Sequence, residues 1–78
     1  MNDRYFYKGQ DITLDILMKT EHVVRLIAER AGQPFDHCLI DFSASRTYQS
    51  LQNTDTVMWA ESAEFIADEY FREGQTGQ

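Results

Sequence analysis

The chain reads as all-α: a compact bundle of three to four helices behind a short N-terminal extended arm or hairpin. Three observations predict this. Apolar residues recur at three- and four-residue spacing from Ile12 to Ala31, again over Phe35–Phe42, and again over Trp59–Tyr70. Gly32-Gln33-Pro34 punctuates the first two runs. Alternation suited to a strand is confined to the N-terminal sixteen residues.

Residues 1–10 form an aromatic arm, Tyr5-Phe6-Tyr7, ending at Lys8-Gly9. Two readings compete for the segment after this arm. Ile12, Leu14 and Ile16 alternate, which fits a strand pairing back on Tyr5–Tyr7 through a Lys8–Asp11 turn. The same residues also open a helical stripe that continues through Leu17, Val24, Ile27 and Ala31, with Asp11 as its cap. Gly32 closes that helix in a left-handed conformation. Pro34 restarts the chain at a first helical turn. Phe35, Cys38, Leu39 and Phe42 then share one face. Ser45 caps a short turn that places Tyr48 and Leu51 together. Thr54 or Asp55 starts the last helix, whose stripe is Trp59, Ala63, Ile66 and Tyr70, widened by Met58 and Phe65. Ser62 can cap a fresh turn within it. Gly74 ends it, so the helical domain spans 11–73 and residues 74–78 form a disordered tail. The expected core is Leu17, Val24, Ile27, Phe35, Leu39, Phe42, Leu51, Trp59, Phe65 and Ile66.

Composition excludes several classes. A chain of 78 residues is one domain. It buries only about 60% of its unfolded surface and gains from a second subunit. Cys38 is the only cysteine, so no disulfide forms within the chain. One cysteine and no apolar N-terminal run suit the cytoplasm. No stretch approaches the ~18 apolar residues of a membrane span. A net charge of −6 argues against nucleic acid and suits a basic protein partner. That charge is concentrated: residues 55–73 hold six acids against one base, or −5, while residues 1–50 hold seven against six, or −1.

No constellation points to catalysis, a cofactor or a metal. Glu21-His22 lacks the second histidine of a zinc helix. His37 and Cys38 are neighbours about 100° apart on a helix, and Cys38 lies on the apolar stripe as a small hydrophobe. Glu64, Asp68 and Glu69 sit on the polar side of the last helix, where carboxylates stay solvated. Glu69 can also face Arg25 or Arg30. Ser45-Arg46-Thr47-Tyr48-Gln49 has the placement of a helix-turn-helix reader, with Arg46 its one base and Asp36 and Asp41 on the supporting helix.

The run SRTYQSLQNTDTVMWAESAEFIADEYFRE, residues 45–73, resembles the C-terminal half of small uncharacterised all-helical bacterial proteins. Tyr48, Leu51, Trp59, Glu64, Ile66, Asp68 and Tyr70 carry the likeness, which covers under half of the chain. The resemblance implies a bacterial source and an antitoxin or accessory role beside a toxin, and no catalytic residues.

The expected function is therefore non-enzymatic protein–protein interaction through an acidic, aromatic surface. Its candidate contacts are Trp59, Glu61, Glu64, Asp68, Tyr70 and Phe71. The partner is a second copy or a basic protein such as a toxin. For a homodimer the expected contacts are Tyr7, Trp59, Tyr70 and Phe71. The alternatives are a helix-turn-helix regulator and a small enzyme or ligand binder.

Overall fold

The helical reading holds for Leu14 and Ile16, which lie in the first helix and not in a strand, while a hairpin forms earlier in the chain than the strand reading placed it, on residues 6–11. The structure is a computed structural model that describes residues 4–76, with side chains through residue 74. Strand β1 (Phe6–Tyr7) pairs antiparallel with β2 (Gln10–Asp11), Phe6 opposite Asp11 and Tyr7 opposite Gln10. Lys8 and Gly9 join them with φ of 50° and 83°. Two left-handed residues make the turn whose twist matches a two-strand ribbon. The strand ends at Asp11, and helix α1 (Thr13–Ala31) begins two residues later. Asp11 accepts from the Thr13 N–H at 2.9 Å, so it does bind the first turn, although Ile12 holds the cap position. The hairpin is sewn to the helix by Ile12 N–H to the Tyr5 carbonyl and Tyr5 N–H to the Thr13 hydroxyl, both 2.8 Å.

That stitch sets the rotational phase of α1. Ile12 is buried, and Ile16, Val23, Val24 and Ile27 continue its row. Leu17 stands about 100° from Ile16 and so faces solvent, against the expectation that it is core. Ala31 is exposed as well. Gly32, at φ 64°, closes the helix as expected and donates to the Ala28 carbonyl.

Helix α2 (Phe35–Ser43) buries a single row, Cys38 and Phe42. Phe35 and Leu39, expected in the core, are exposed: Phe35 is on the row but is the first residue of the helix, and Leu39 stands at the edge of the row. Helix α3 (Arg46–Gln52) is capped by Ser45, whose hydroxyl accepts from Tyr48 N–H. It buries Thr47 and Leu51.

The last helix is shorter than its apolar spacing suggests. Residues 54–60 form two 3-10 turns, Thr54–Thr56 and Met58–Ala60, split by Val57 at φ 57°. Local side chains divert this backbone from helix. Asn53 accepts from Asp55 N–H, and the Thr56 hydroxyl accepts from Met58 N–H while reaching the Ser50 carbonyl. A β-branched residue held left-handed costs roughly 1–3 kcal/mol. Trp59 therefore leaves the stripe expected for it. Helix α4 (Ala63–Thr76) opens at Ser62, whose hydroxyl accepts from Phe65 N–H, and buries Ala63, Ile66 and Ala67. Phe65 points the other way and is exposed, which overturns its place in the core. Gly74 does not end α4, because its φ is not positive and the helix runs on to Thr76. Of the expected tail, residues 77–78 lie outside the described residues.

The fold is an all-α bundle of four helices with a short hairpin in front. Helix α1 is its hub and packs on α4 and α2. Phe42 sits at the centre with no exposed surface, meeting Tyr48 and Tyr70 edge-on at 5.4 and 5.5 Å between ring centroids. Among the described residues no helix is long and apolar enough to cross a membrane.

Candidate interaction surface

Aromatic and acidic residues of the C-terminal quarter were the expected contact surface, and most of them are engaged inside the fold. Trp59 is half-buried, donates its ring N–H to the Thr54 carbonyl at 3.0 Å, and stacks edge-on against Tyr7 at 5.4 Å. Tyr70 packs on Phe42 and on Phe71, and burial pushes its hydroxyl pKa up, helped by the charges of Asp41 and Glu73 and by Cys38. Phe71 also carries the Arg30 guanidinium over its face at 5.8 Å. Asp68 takes Arg30 in an ion pair at 2.6 Å, while Glu69 pairs with Arg72, so the partner expected for Glu69 belongs to its neighbour. Arg25 pairs with Glu21 on its own helix. Glu61 and Glu64 remain exposed.

Glu73 has a different task. Its carboxylate accepts from the Arg46 and Thr47 N–H groups at 2.9 and 3.0 Å and from the Thr47 hydroxyl at 2.7 Å. These N–H groups are the orphan donors at the start of α3. Burial pushes the carboxyl pKa up, but the hydrogen bonds from Arg46 and Thr47 outweigh it and hold the group below its ordinary value. Glu73 is thus a long-range cap.

The residues considered for chemistry lie apart. His37 meets Asp41 at 3.3 Å on the exposed side of α2. Cys38 faces inward, and burial, with the charges of Asp41 and Asp36, raises its thiol pKa. A thiol so placed is not poised as a nucleophile. Arg46 shares its surroundings with Glu69, Glu73 and Arg72, so no basic face forms there. No group of three potential metal ligands occurs among the described residues.

The surface that the expectations missed is on α1. Leu14, Leu17 and Met18 are 67%, 54% and 62% exposed and form one ridge. Beside it runs a shallow groove of about 720 Å³ between α1 and the Met58–Ala60 turn, lined by Leu17, Met18, His22, Trp59 and Ala60 among others. Lys19 anchors the far wall by donating to the Glu61 carbonyl. A signal for this ridge was present. Apolar side chains at 14, 16, 17 and 18 cover more of the helix than one buried stripe can use. The groove also includes Trp59, the one expected contact with a face turned toward it.

Comparison with family models, curated proteins and solved structures finds no match to the chain.

Proposed function

We propose that this protein is a non-enzymatic interaction domain of the bacterial cytoplasm, working through the α1 ridge and its groove. One observation carries the reading: three large apolar side chains stand together in solvent on a chain too short to waste them. Contiguous apolar exposure of this kind marks an interaction site on a small protein. A basic partner, such as the toxin that the resemblance implies, is served by Glu61, which is exposed and whose carbonyl meets Lys19 of the groove. Less supports the alternatives. The acids around Arg46 oppose phosphate. The His37–Asp41 pair is open to water on the exposed side of α2.

The test uses tagged protein expressed beside its untagged form in native cells, in the native sequence and as Leu17→Asp/Met18→Asp. Both positions are exposed, so the fold persists, as circular dichroism would confirm. The native chain is expected to retain a protein that the variant loses, whether foreign or the untagged copy. Equal retention of every captured protein by both forms overturns the reading.

A further inference from the structure

We propose that Met18 is a redox-sensitive modification site: peroxide converts its thioether to the sulfoxide, and the new oxygen shuts off the α1 ridge without disturbing the fold. The shut-off rests on the ridge being the working surface, whereas the oxidation of Met18 does not. Among the described residues three side chains carry sulfur, and they stand in three settings. Met18 is 62% exposed, at the open groove between α1 and the Met58–Ala60 turn. Met58 is half-buried and packs against the core. Cys38 is buried with its thiol pKa raised, so little of it is the thiolate that reacts with peroxide.

The step needs hydrogen peroxide or another peroxide as oxidant and no further reactant. The Met18 sulfur attacks one peroxide oxygen, the O–O bond breaks, and an S–O bond forms. The hydroxide that leaves takes the proton of the transferred oxygen and departs as water. Sulfur gives up two electrons and the peroxide gains them. Methionine sulfoxide reductases reverse the change, and a side chain this exposed is open to them.

The place of Met18 in the fold sets the consequence. Leu14 lies one turn before it and Leu17 beside it, so the polar oxygen lands within the apolar ridge. In the free chain water solvates that oxygen, and the fold has no reason to respond. A partner that covers the ridge must strip the water away and leave an acceptor unpaired, which weakens association about tenfold or more. The same oxygen on Met58 would instead enter side-chain packing. The order of oxidation therefore separates a reversible change of surface from damage to the interior, and exposure puts Met18 first.

The experiment treats the purified full chain with hydrogen peroxide, samples it over time and maps the oxygen by tryptic mass spectrometry. Cleavage after Lys8, Lys19, Arg30, Arg46 and Arg72 places Met18, Cys38 and Met58 on separate peptides. Met18 is expected to gain its oxygen at least about threefold faster than Met58, with Cys38 unmodified. Circular dichroism should not change at that stage, and the oxidised chain should elute earlier from a phenyl hydrophobic-interaction column. Treatment with a methionine sulfoxide reductase should return it to its first position. Met18→Leu should elute at one position before and after the same exposure to peroxide. Met58 oxidised as fast as Met18 overturns the proposal. So does loss of helical signal in step with the Met18 sulfoxide, or an elution shift as large in Met18→Leu. If Leu17→Asp/Met18→Asp loses a captured protein that the Met18-oxidised chain still holds, the shut-off is overturned and the ridge remains the working surface. If the double variant loses nothing, the ridge reading fails and the shut-off with it, while the peptide map alone decides whether Met18 is the site of oxidation.

Discussion

Helices α1 and α4 treat their polar and apolar residues in opposite ways. Helix α4 is the acidic one, yet Asp68 is tied to Arg30 of α1 and Glu73 caps α3. Its aromatics Tyr70 and Phe71 pack on Phe42 and under Arg30. Helix α1 has balanced charge in the same stretch where it leaves Leu14, Leu17 and Met18 in water. The difference teaches where to look for a contact surface. Charge is cheap to solvate, so acids on a helix can be structural or idle. Clustered large apolar side chains in solvent carry a standing cost, and they are the better marker.

Substitutions separate the two regions by the size of their effect. The largest is expected at the centre on which α4 converges. Phe42→Ala removes a fully buried ring and its two edge-on partners, and should cost about 3–5 kcal/mol by chemical denaturation. A cost below about 1 kcal/mol would mean that the interior collapses freely, and the contrast with the α1 ridge would vanish.

The next effect belongs to Glu73. Glu73→Gln keeps the shape but turns an acceptor-only group into one that also donates, and should cost about 1–3 kcal/mol. The pH dependence has a definite sign. The folded carboxyl titrates below the unfolded one, so its stabilisation is complete above the unfolded carboxyl range, near ~4.3, and is lost as pH falls through the lower folded value. The native chain should therefore lose stability in that acid window more steeply than Glu73→Gln. Parallel acid limbs for the two proteins would remove Glu73 as a cap.

The smallest effects test the exposed charges and the ridge directly. Asp68→Asn breaks an ion pair that is largely open to solvent and should cost under about 1 kcal/mol. Met18→Ser should change monomer stability by no more than about 0.5 kcal/mol, because the side chain stands mostly in water. A Met18→Ser loss larger than that from Asp68→Asn, measured at concentrations where the chain is monomeric, would show that the ridge is packed rather than presented.

Features governed by neighbours in sequence were legible. Gly32, Pro34, Ser45 and Ser62 each punctuate the chain where their backbone and side-chain chemistry says they should. Two expectations belong with them in part: a turn begins at Lys8 but closes at Gly9 and not at Asp11, and of the α2 stripe Cys38 and Phe42 are inside. What was not legible depends on distant residues. The choice between Ile16 and Leu17 is made by the hairpin that buries Ile12, and the spacing of α1 alone admits either. Leu39 and Phe65 have apolar chemistry but lie off rows whose direction the neighbouring helices choose, and Phe35 shares the row of Phe42 but sits at the open end of α2. Glu73 reads as one more surface acid until α4 folds back 26 residues to reach Thr47. The candidate surface was half legible: Trp59 lines the groove, while the spacing of α1 places Leu17 of the ridge in the interior.

Helix α3 has only seven residues and is too short to persist by itself. Glu73 holds its first N–H groups from one flank of the chain, and Gln52 in its last turn donates to the Tyr5 hydroxyl from the other, at 2.7 Å. It is a keystone segment, stable only while both flanks are seated. It should order last when the protein folds, and in the native state it should be the first helix to exchange its amide hydrogens with solvent.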